Sequence, residues 1–448
     1  MIKPDLLAGP VGTTLFRMAV PMLFGILSIV AFNLVDTYFI GQLGADQLAA
    51  LGFTFPVVSV VGSVAHGLGV GISSIVSASL GAGERERAAH ETTDSLLLGL
   101  VVVILVSTVG YFTIDPLFTL LGATPANLSY IREYMEVWYV SVVFLIVPMA
   151  GNSAIRATGD TATPSYIIIA SMLLNLVLDP LLIFGYGPFP ELGIRGAALA
   201  TALSRAFAFG LSVYVLRCQL DLLRVPRSAV AFLRRAWSVA GIAGPAGAAR
   251  AINPLGIAVL TGMLATYGAA AVAGYGVGSR VELLALTFVT ALSTVVGPFV
   301  GQNFGAGNGV RIRAAANASF RFCLGSGALI GLVLFAVPEY IAGWFSDAAD
   351  VRSVVKIFLR TVPFAYAFLG VTLVGATVLN AVRRPWAAAL LSVVQMFGLL
   401  LPLAWLGSGW NGVPGLFTGV AVAYGVAGLV SWWWVRRTLD QVPGGSPG

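Results

Sequence analysis

Two carboxylates interrupt long apolar runs in this 448-residue chain. Asp36 lies in Phe32-Asn33-Leu34-Val35-Asp36-Thr37-Tyr38, and Asp179 in Asn175-Leu176-Val177-Leu178-Asp179-Pro180. A carboxylate at the centre of a membrane helix costs at least about 2.5–3.5 kcal/mol on insertion scales, so its presence asks for a use. Low-dielectric surroundings favour the neutral form of a carboxyl, which lets such a group load and release a proton near neutral pH. Two acids close together titrate as a pair. Asn175 precedes Asp179 by one helical turn and shares its face, and Asn33 precedes Asp36 by three residues. Asn152 and Thr201 add an amide and a hydroxyl in neighbouring apolar stretches. Each alone is an ordinary helix–helix hydrogen bond; together they make an oxygen-rich site for a proton or a small cation. The structural alternative for Asp179 is a cap on a helix broken at Pro180.

Other polar groups carry less. Arg280 and Glu282 open an apolar run in the C-terminal half and are expected to pair there. Arg205 and Arg250 are unusual in their surroundings, and snorkelling toward an interface is the plain reading. Cys218 and Cys323 form no framework or cluster. Nucleotide-binding, zinc-hydrolase and nucleophile-elbow signatures are missing from the sequence, so the chain is expected not to be an enzyme. Nothing calls for a cofactor, and the energy for any pumping is expected from an ion gradient: H+, or Na+ held by Asp36 and Asp179.

The elements that position these residues are membrane helices. Hydrophobic residues make up 58% and charged residues 10%, far below the roughly 25% charged of a soluble domain. Apolar stretches long enough to cross a hydrocarbon core of roughly 30 Å recur along the chain. Continuous runs such as Leu96–Val109 lack the alternation of a membrane barrel. Twelve spans are predicted, near residues 14–40, 47–76, 92–114, 131–154, 163–186, 193–217, 237–264, 268–300, 316–338, 354–380, 386–406 and 413–435. The basic stretch 218–236 is expected to be the loop between two halves, 1–223 and 224–448. Lys3, Arg85, Arg87, Arg227, Arg234, Arg235, Arg311, Arg383 and Arg384 gather in alternate loops, while Asp115, Glu191, Glu339 and Asp347 mark the opposite side. The positive-inside rule then puts both termini in the cytoplasm. The net charge of +6 comes from these loops and implies no nucleic-acid partner.

The halves repeat. At an offset of 224 residues, Pro21 meets Pro245, Gly44-Ala45 meets Gly268-Ala269, Gly81-Ala82-Gly83 meets Gly305-Ala306-Gly307, and Arg87 meets Arg311. Asp36 and Asp179, by contrast, fall opposite Leu260 and Leu401, so only the first half carries the acids. Six helices repeated in one orientation imply two lobes related by an axis along the membrane normal, with substrate bound between them.

Several ordered motifs then resemble the multidrug and toxic compound extrusion (MATE) family, in its DinF-like, proton-coupled branch. They are Pro21 with Asn33-Leu34-Val35-Asp36-Thr37, the pattern from Gly41 to Phe53, the Gly81-Ala82-Gly83 turn, Arg156-Ala157-Thr158-Gly159-Asp160, Asn175 to Pro180, and Gly193 to Ala198. The resemblance implies an all-α fold of twelve helices in two six-helix lobes, and exchange of protons or cations for organic cations and amphiphilic drugs. It maps the ion site onto Asp36, Asp179, Asn175, Asn152 and Thr201. It matches Tyr134 to the family's fourth-helix tyrosine, with Tyr139 as a rival, and makes Pro21 a bending point of the first helix. Spans 237–264 and 354–380, where the sodium-coupled branch carries acids, contain no Asp or Glu. A lipid-linked precursor flippase of the same superfamily is the other function considered. Location in a prokaryotic inner membrane, a monomeric state and no partner beyond small molecules and lipid complete the expectations.

Overall fold

The computed structural model describes residues 4–225 and 228–442; Lys3 and Arg227 of the basic loops lie outside the described residues. Among the described residues every element is helical. In chain order these are α1 (Val11–Leu43), α2 (Ala45–Gly81), α3 (Arg85–Phe112), α4 (Ile114–Leu120), α5 (Pro125–Ser141), α6 (Val143–Ala157), α7 (Ala162–Ile183), α8 (Gly193–Tyr214), α9 (Ala229–Ala265), α10 (Ala269–Ala285), α11 (Thr287–Gly305), α12 (Gly309–Ala336), α13 (Pro338–Phe345), α14 (Ala349–Thr361), α15 (Tyr366–Ala381), α16 (Pro385–Val393) and α17 (Leu401–Leu439). Backbone groups in lipid must be satisfied within their own segment, which an α-helix does.

Among the described residues, nine helical stretches are long and apolar enough to span a membrane. Two further spans are bent pairs: α5 with α6, at 43°, and α10 with α11, at 45°. One of the nine, Pro385–Leu439, contains non-helical backbone at Asn411 and Gly412, so it holds two spans and the total reaches twelve. The sequence does not show the breaks at Val142 and Leu286, because apolar residues occupy both.

The chain forms two compact units. One contains Val20–Gly247 and the other Asp5–Ala19 with Ala248–Gly448. The first is built around Trp138, Phe118, Met135 and Ile72, all essentially inaccessible. The second is built around Phe358, Phe417 and Tyr366, with the Phe358 and Phe417 rings edge to face at 5.2 Å. Lipid is as apolar as leucine, so helices here associate through close packing at small residues. A Cβ on Gly196 of α8 would collide with the Leu182 carbonyl of α7, and one on Gly327 of α12 with the Ala367 backbone of α15.

The repeat is visible in the backbone. Gly44 and Gly268 precede α2 and α10 with φ of 139° and 100°. Gly83 and Gly307 take φ of 78° and 71° in the two matching turns. Both turns close alike, Glu84 N–H donating to the Ser79 carbonyl and Asn308 N–H to the Asn303 carbonyl.

The basic stretch 218–236 is shorter as a loop than its composition indicated. A π-helical turn, Val215–Gln219, extends α8, and α9 begins at Ala229. Arg235 therefore lies on α9, where its Nε donates to the buried Asp94 carboxylate of α3. Charge had marked this stretch as solvated, but a partner distant in sequence holds it in a helix. Within the remaining loop, the Arg224 guanidinium forks onto Asp221 and holds its carboxyl below the usual carboxylate range.

Candidate functional site

Helices α1 and α7 meet along their length in the first unit. Ser165 Oγ lies 3.5 Å from Met22 Sδ, and a Cβ on Gly25 would touch Ser165 at 3.3 Å. Farther along the pair, Ala31, Phe32 and Val35 of α1 and Met172, Asn175 and Leu176 of α7 line a small cavity. Asp36 follows the Val35 wall, and Asp179 stands one turn beyond Asn175. Helix α8 returns alongside α7. The Leu192 N–H donates to the Leu182 carbonyl at 3.1 Å, and Ser171 Oγ donates to the Ser204 carbonyl at 2.8 Å. Arg205, the neighbour of Ser204 on α8, lies within electrostatic reach of Asp36.

Asp179 is fully buried and Asp36 is 8% exposed. Asn175 Nδ2 donates to Asp179 Oδ1 at 3.2 Å, as the one-turn spacing predicted. Asp36 Oδ1, Asp179 Oδ2 and Asn152 Oδ1 are buried with no protein donor. The two carboxylates lie within electrostatic reach of each other. Arg205 and the buried Tyr134 lie within the same reach of Asp36. Buried acceptor oxygens without a donor are costly in a low-dielectric interior. Protonation of the carboxyls, or a small cation bound by the oxygens, removes that cost.

Other expected residues divide. Thr201 is buried on α8 one turn before Arg205, and Asn152 is buried on α6. Asn33 is exposed and donates to the Ile29 carbonyl of its own helix at 2.9 Å, so the structure does not bring it to the acids. Tyr139 is separated from its rival by packing: its ring lies against Gly110 of α3, whereas Tyr134 stands near both acids. Asp179 caps no broken helix, because α7 runs through Pro180 to Ile183. Pro21 lies inside α1, which continues on both sides of it.

Arg280 and Glu282 do not pair. Arg280 Nη1 donates to the Gly276 carbonyl of its own helix at 3.3 Å. Glu282 accepts from Tyr424 at 3.4 Å, with Tyr275 and Tyr366 close by. Residues two apart point to different sides of a helix, which separates the expected partners.

Sequence reasoning missed the role of Arg205 and the tyrosines around Glu282. Arg205 had a usable signal in its spacing from Thr201; the three tyrosines, scattered over α10, α15 and α17, had none.

The MatE family model matches residues 21–181 and again 245–406, two stretches that begin at the repeat-equivalent prolines Pro21 and Pro245. Over 441 residues the chain is 39% identical to a protein of Shewanella oneidensis named FAD transporter, covering 98% of each. It is 24% identical to the multidrug export protein MepA of Staphylococcus saprophyticus, over 96% of this chain and 94% of that one. The Vibrio cholerae MATE transporter VcmN, solved in its bent form, superimposes with a TM-score of 0.92 at 32% identity, covering 96% of this chain and 97% of that one.

Proposed function

The chain belongs to the MATE family of membrane transporters, and from that membership we propose that it is a proton-driven antiporter exporting small amphiphilic compounds, organic cations among them. It is a transporter and not an enzyme. The observation that carries proton coupling is the pair of buried carboxylates in the first unit, each with an oxygen that has no protein donor.

The chain's own residues account for a loading site. Asn175 fixes one oxygen of Asp179 and leaves the other free for a proton. Arg205 lies within electrostatic reach of Asp36. A proton arriving from the acidic side neutralises a carboxylate and withdraws the charge that attracts Arg205 and any bound cation. Substrate release and proton entry are then coupled by competition for one site. The same oxygens suit Na+, which takes oxygen ligands. Its claim is weaker, because the second unit carries no acid in spans 237–264 and 354–380. This reading puts both termini in the cytoplasm and a monomer in a prokaryotic inner membrane.

A second substrate reading is favoured by the relative named FAD transporter, which matches over almost the whole chain. It keeps the same coupling site and replaces the organic cation by a flavin dinucleotide.

Proteoliposomes decide the coupling. An imposed pH gradient is expected to drive ethidium export, a sodium gradient alone is expected not to, and Asp36→Asn is expected to abolish export while the purified protein melts normally. Full activity in Asp36→Asn, or transport driven by sodium alone, would overturn the proton assignment.

A further inference from the structure

Three arginines stand inside membrane-spanning stretches: Arg205 and Arg250 near the middle of α8 and α9, and Arg280 about a third of the way along the bent span of α10 and α11. Arg205 has Asp36 within electrostatic reach. The other two, both in the second unit, have no such partner: among the described residues neither Arg250 nor Arg280 makes an ion pair with a carboxylate. The nearby acid, Glu282, is occupied by Tyr424 on another side of α10. Arg280 uses one of its five donors on its own helix and leaves the rest.

Snorkelling does not account for them. The half-thickness of the hydrocarbon core is roughly 15 Å, more than an arginine stem can span from mid-depth. Both side chains are exposed, and a guanidinium exposed to lipid at that depth is strongly disfavoured. They therefore face water, as groups lining a transport path do. They also share a hairpin. From the turn at Tyr267 and Gly268, Arg280 lies about 18 Å along α10 and Arg250 about 25 Å along α9, at 1.5 Å per residue. Their depths thus differ by little more than one helical turn. Guanidinium forks match phosphate oxygens in pairs and are preferred for that ligand.

We propose that Arg250 and Arg280 form an anion-recognition element, and that the transporter takes phosphorylated amphiphiles: planar, largely apolar molecules carrying one or two phosphates. The proposal rests on the reading of the chain as an exporter of small amphiphiles, and it locates substrate charge recognition in the unit without the proton-loading aspartates.

The test uses binding, which needs no proton gradient, so it fails independently of the coupling assignment. Purified full-length transporter is titrated with FAD, FMN and riboflavin, followed by flavin fluorescence. Wild type is expected to bind FAD and FMN at least about tenfold more tightly than riboflavin, with a preference that weakens as salt rises. Arg250→Gln and Arg280→Gln are each expected to reduce that preference and the double variant to abolish it, while riboflavin binding and the melting temperature stay unchanged. Arg→Lys at either position is expected to restore part of the preference. Equal binding of the three flavins by wild type overturns the proposal, even if either variant fails to fold. An undiminished FAD preference in the double variant does so too. Proton-driven ethidium export alongside equal flavin binding would leave the coupling reading standing and remove this one.

Discussion

Tyr134 and Tyr139 share a helix, yet only Tyr134 lies within electrostatic reach of Asp36 and Asp179. Removing its hydroxyl changes the surroundings of the titrating pair, whereas Tyr139 presents its ring to Gly110. Tyr134→Phe is expected to slow proton-driven export by roughly tenfold, equivalent to about 1.4 kcal/mol, and Tyr139→Phe to leave it near wild type; the reverse order in vesicle transport rates would exchange their roles. Glu282 is a buried acid of a different kind. Tyr424 donates to it, and a glutamine can still accept that bond. Glu282→Gln is therefore expected to retain more coupled transport than Asp179→Asn, measured in the same vesicles. The aspartates were legible in the sequence because each stands alone in an apolar run. The guanidinium within reach of Asp36 was legible only in part, because its spacing from Thr201 along α8 does not say which neighbour that face meets. Asn33 stands one turn before Asp36, but its exposed side chain turns back onto the Ile29 carbonyl of its own helix, a choice that spacing does not reveal.

At the scale of elements, the long apolar runs gave the spans, and the glycine turns gave their ends. The bends at Val142 and Leu286 left no compositional trace. The prolines invite a mechanical reading. Two of the points at which the chain passes from one unit to the other lie inside continuous helices, between Ala19 and Val20 in α1 and between Gly247 and Ala248 in α9. Pro21 and Pro245, repeat equivalents, lie within three residues of those crossings. A proline within a helix removes one backbone hydrogen bond and softens it there. Pro21→Ala is expected to restore that bond, stiffen α1 and slow transport without lowering the melting temperature. Normal transport by this variant, or α1 of one shape in structures at low and high pH, would place the coupling movement elsewhere. Close packing gives a separate prediction. Gly196→Ala must push α8 away from the Leu182 carbonyl and is expected to cost about 1–3 kcal/mol, whereas Gly210→Ala meets nothing within 4 Å. Melting curves in detergent would show one large and one negligible shift.

For the whole molecule, the repeat divides one scaffold between two charge characters. The first unit buries Asp36 and Asp179 in its membrane helices, with Arg205 within reach of Asp36; the second buries Glu282 among tyrosines and carries Arg250 and Arg280, which make no ion pair with a carboxylate among the described residues. The offset of 224 residues made the duplication legible, because glycines needed for turns must be kept in both copies. The contacts that complete each unit were not legible, since they join segments far apart in the chain. In the second unit, Arg311 donates to the carbonyls of Ala8 and Gly9 at 3.0 and 2.8 Å, and Asn303 to that of Leu6 at 3.0 Å. In the first, the start of α9 is held by Arg235 on Asp94, whose side chain is fully buried. Charge alone marked Arg235 as a loop residue. Its burial beside Asp94 makes it a structural fastening, and the energetics of such pairs are lopsided. Forming one yields little net stability, while removing one member leaves a buried charge uncompensated at about 3–5 kcal/mol. Arg235 keeps some access to solvent, which puts the expected loss for Arg235→Gln toward the lower end and that for Asp94→Asn below it, since Asn carries no charge to strand. The double variant is expected to be more stable than Arg235→Gln alone, because no buried carboxylate then lacks its partner. Chemical denaturation of the three variants in detergent measures this directly. Strictly additive losses would show that the pair, although formed, does not hold α9 to its unit.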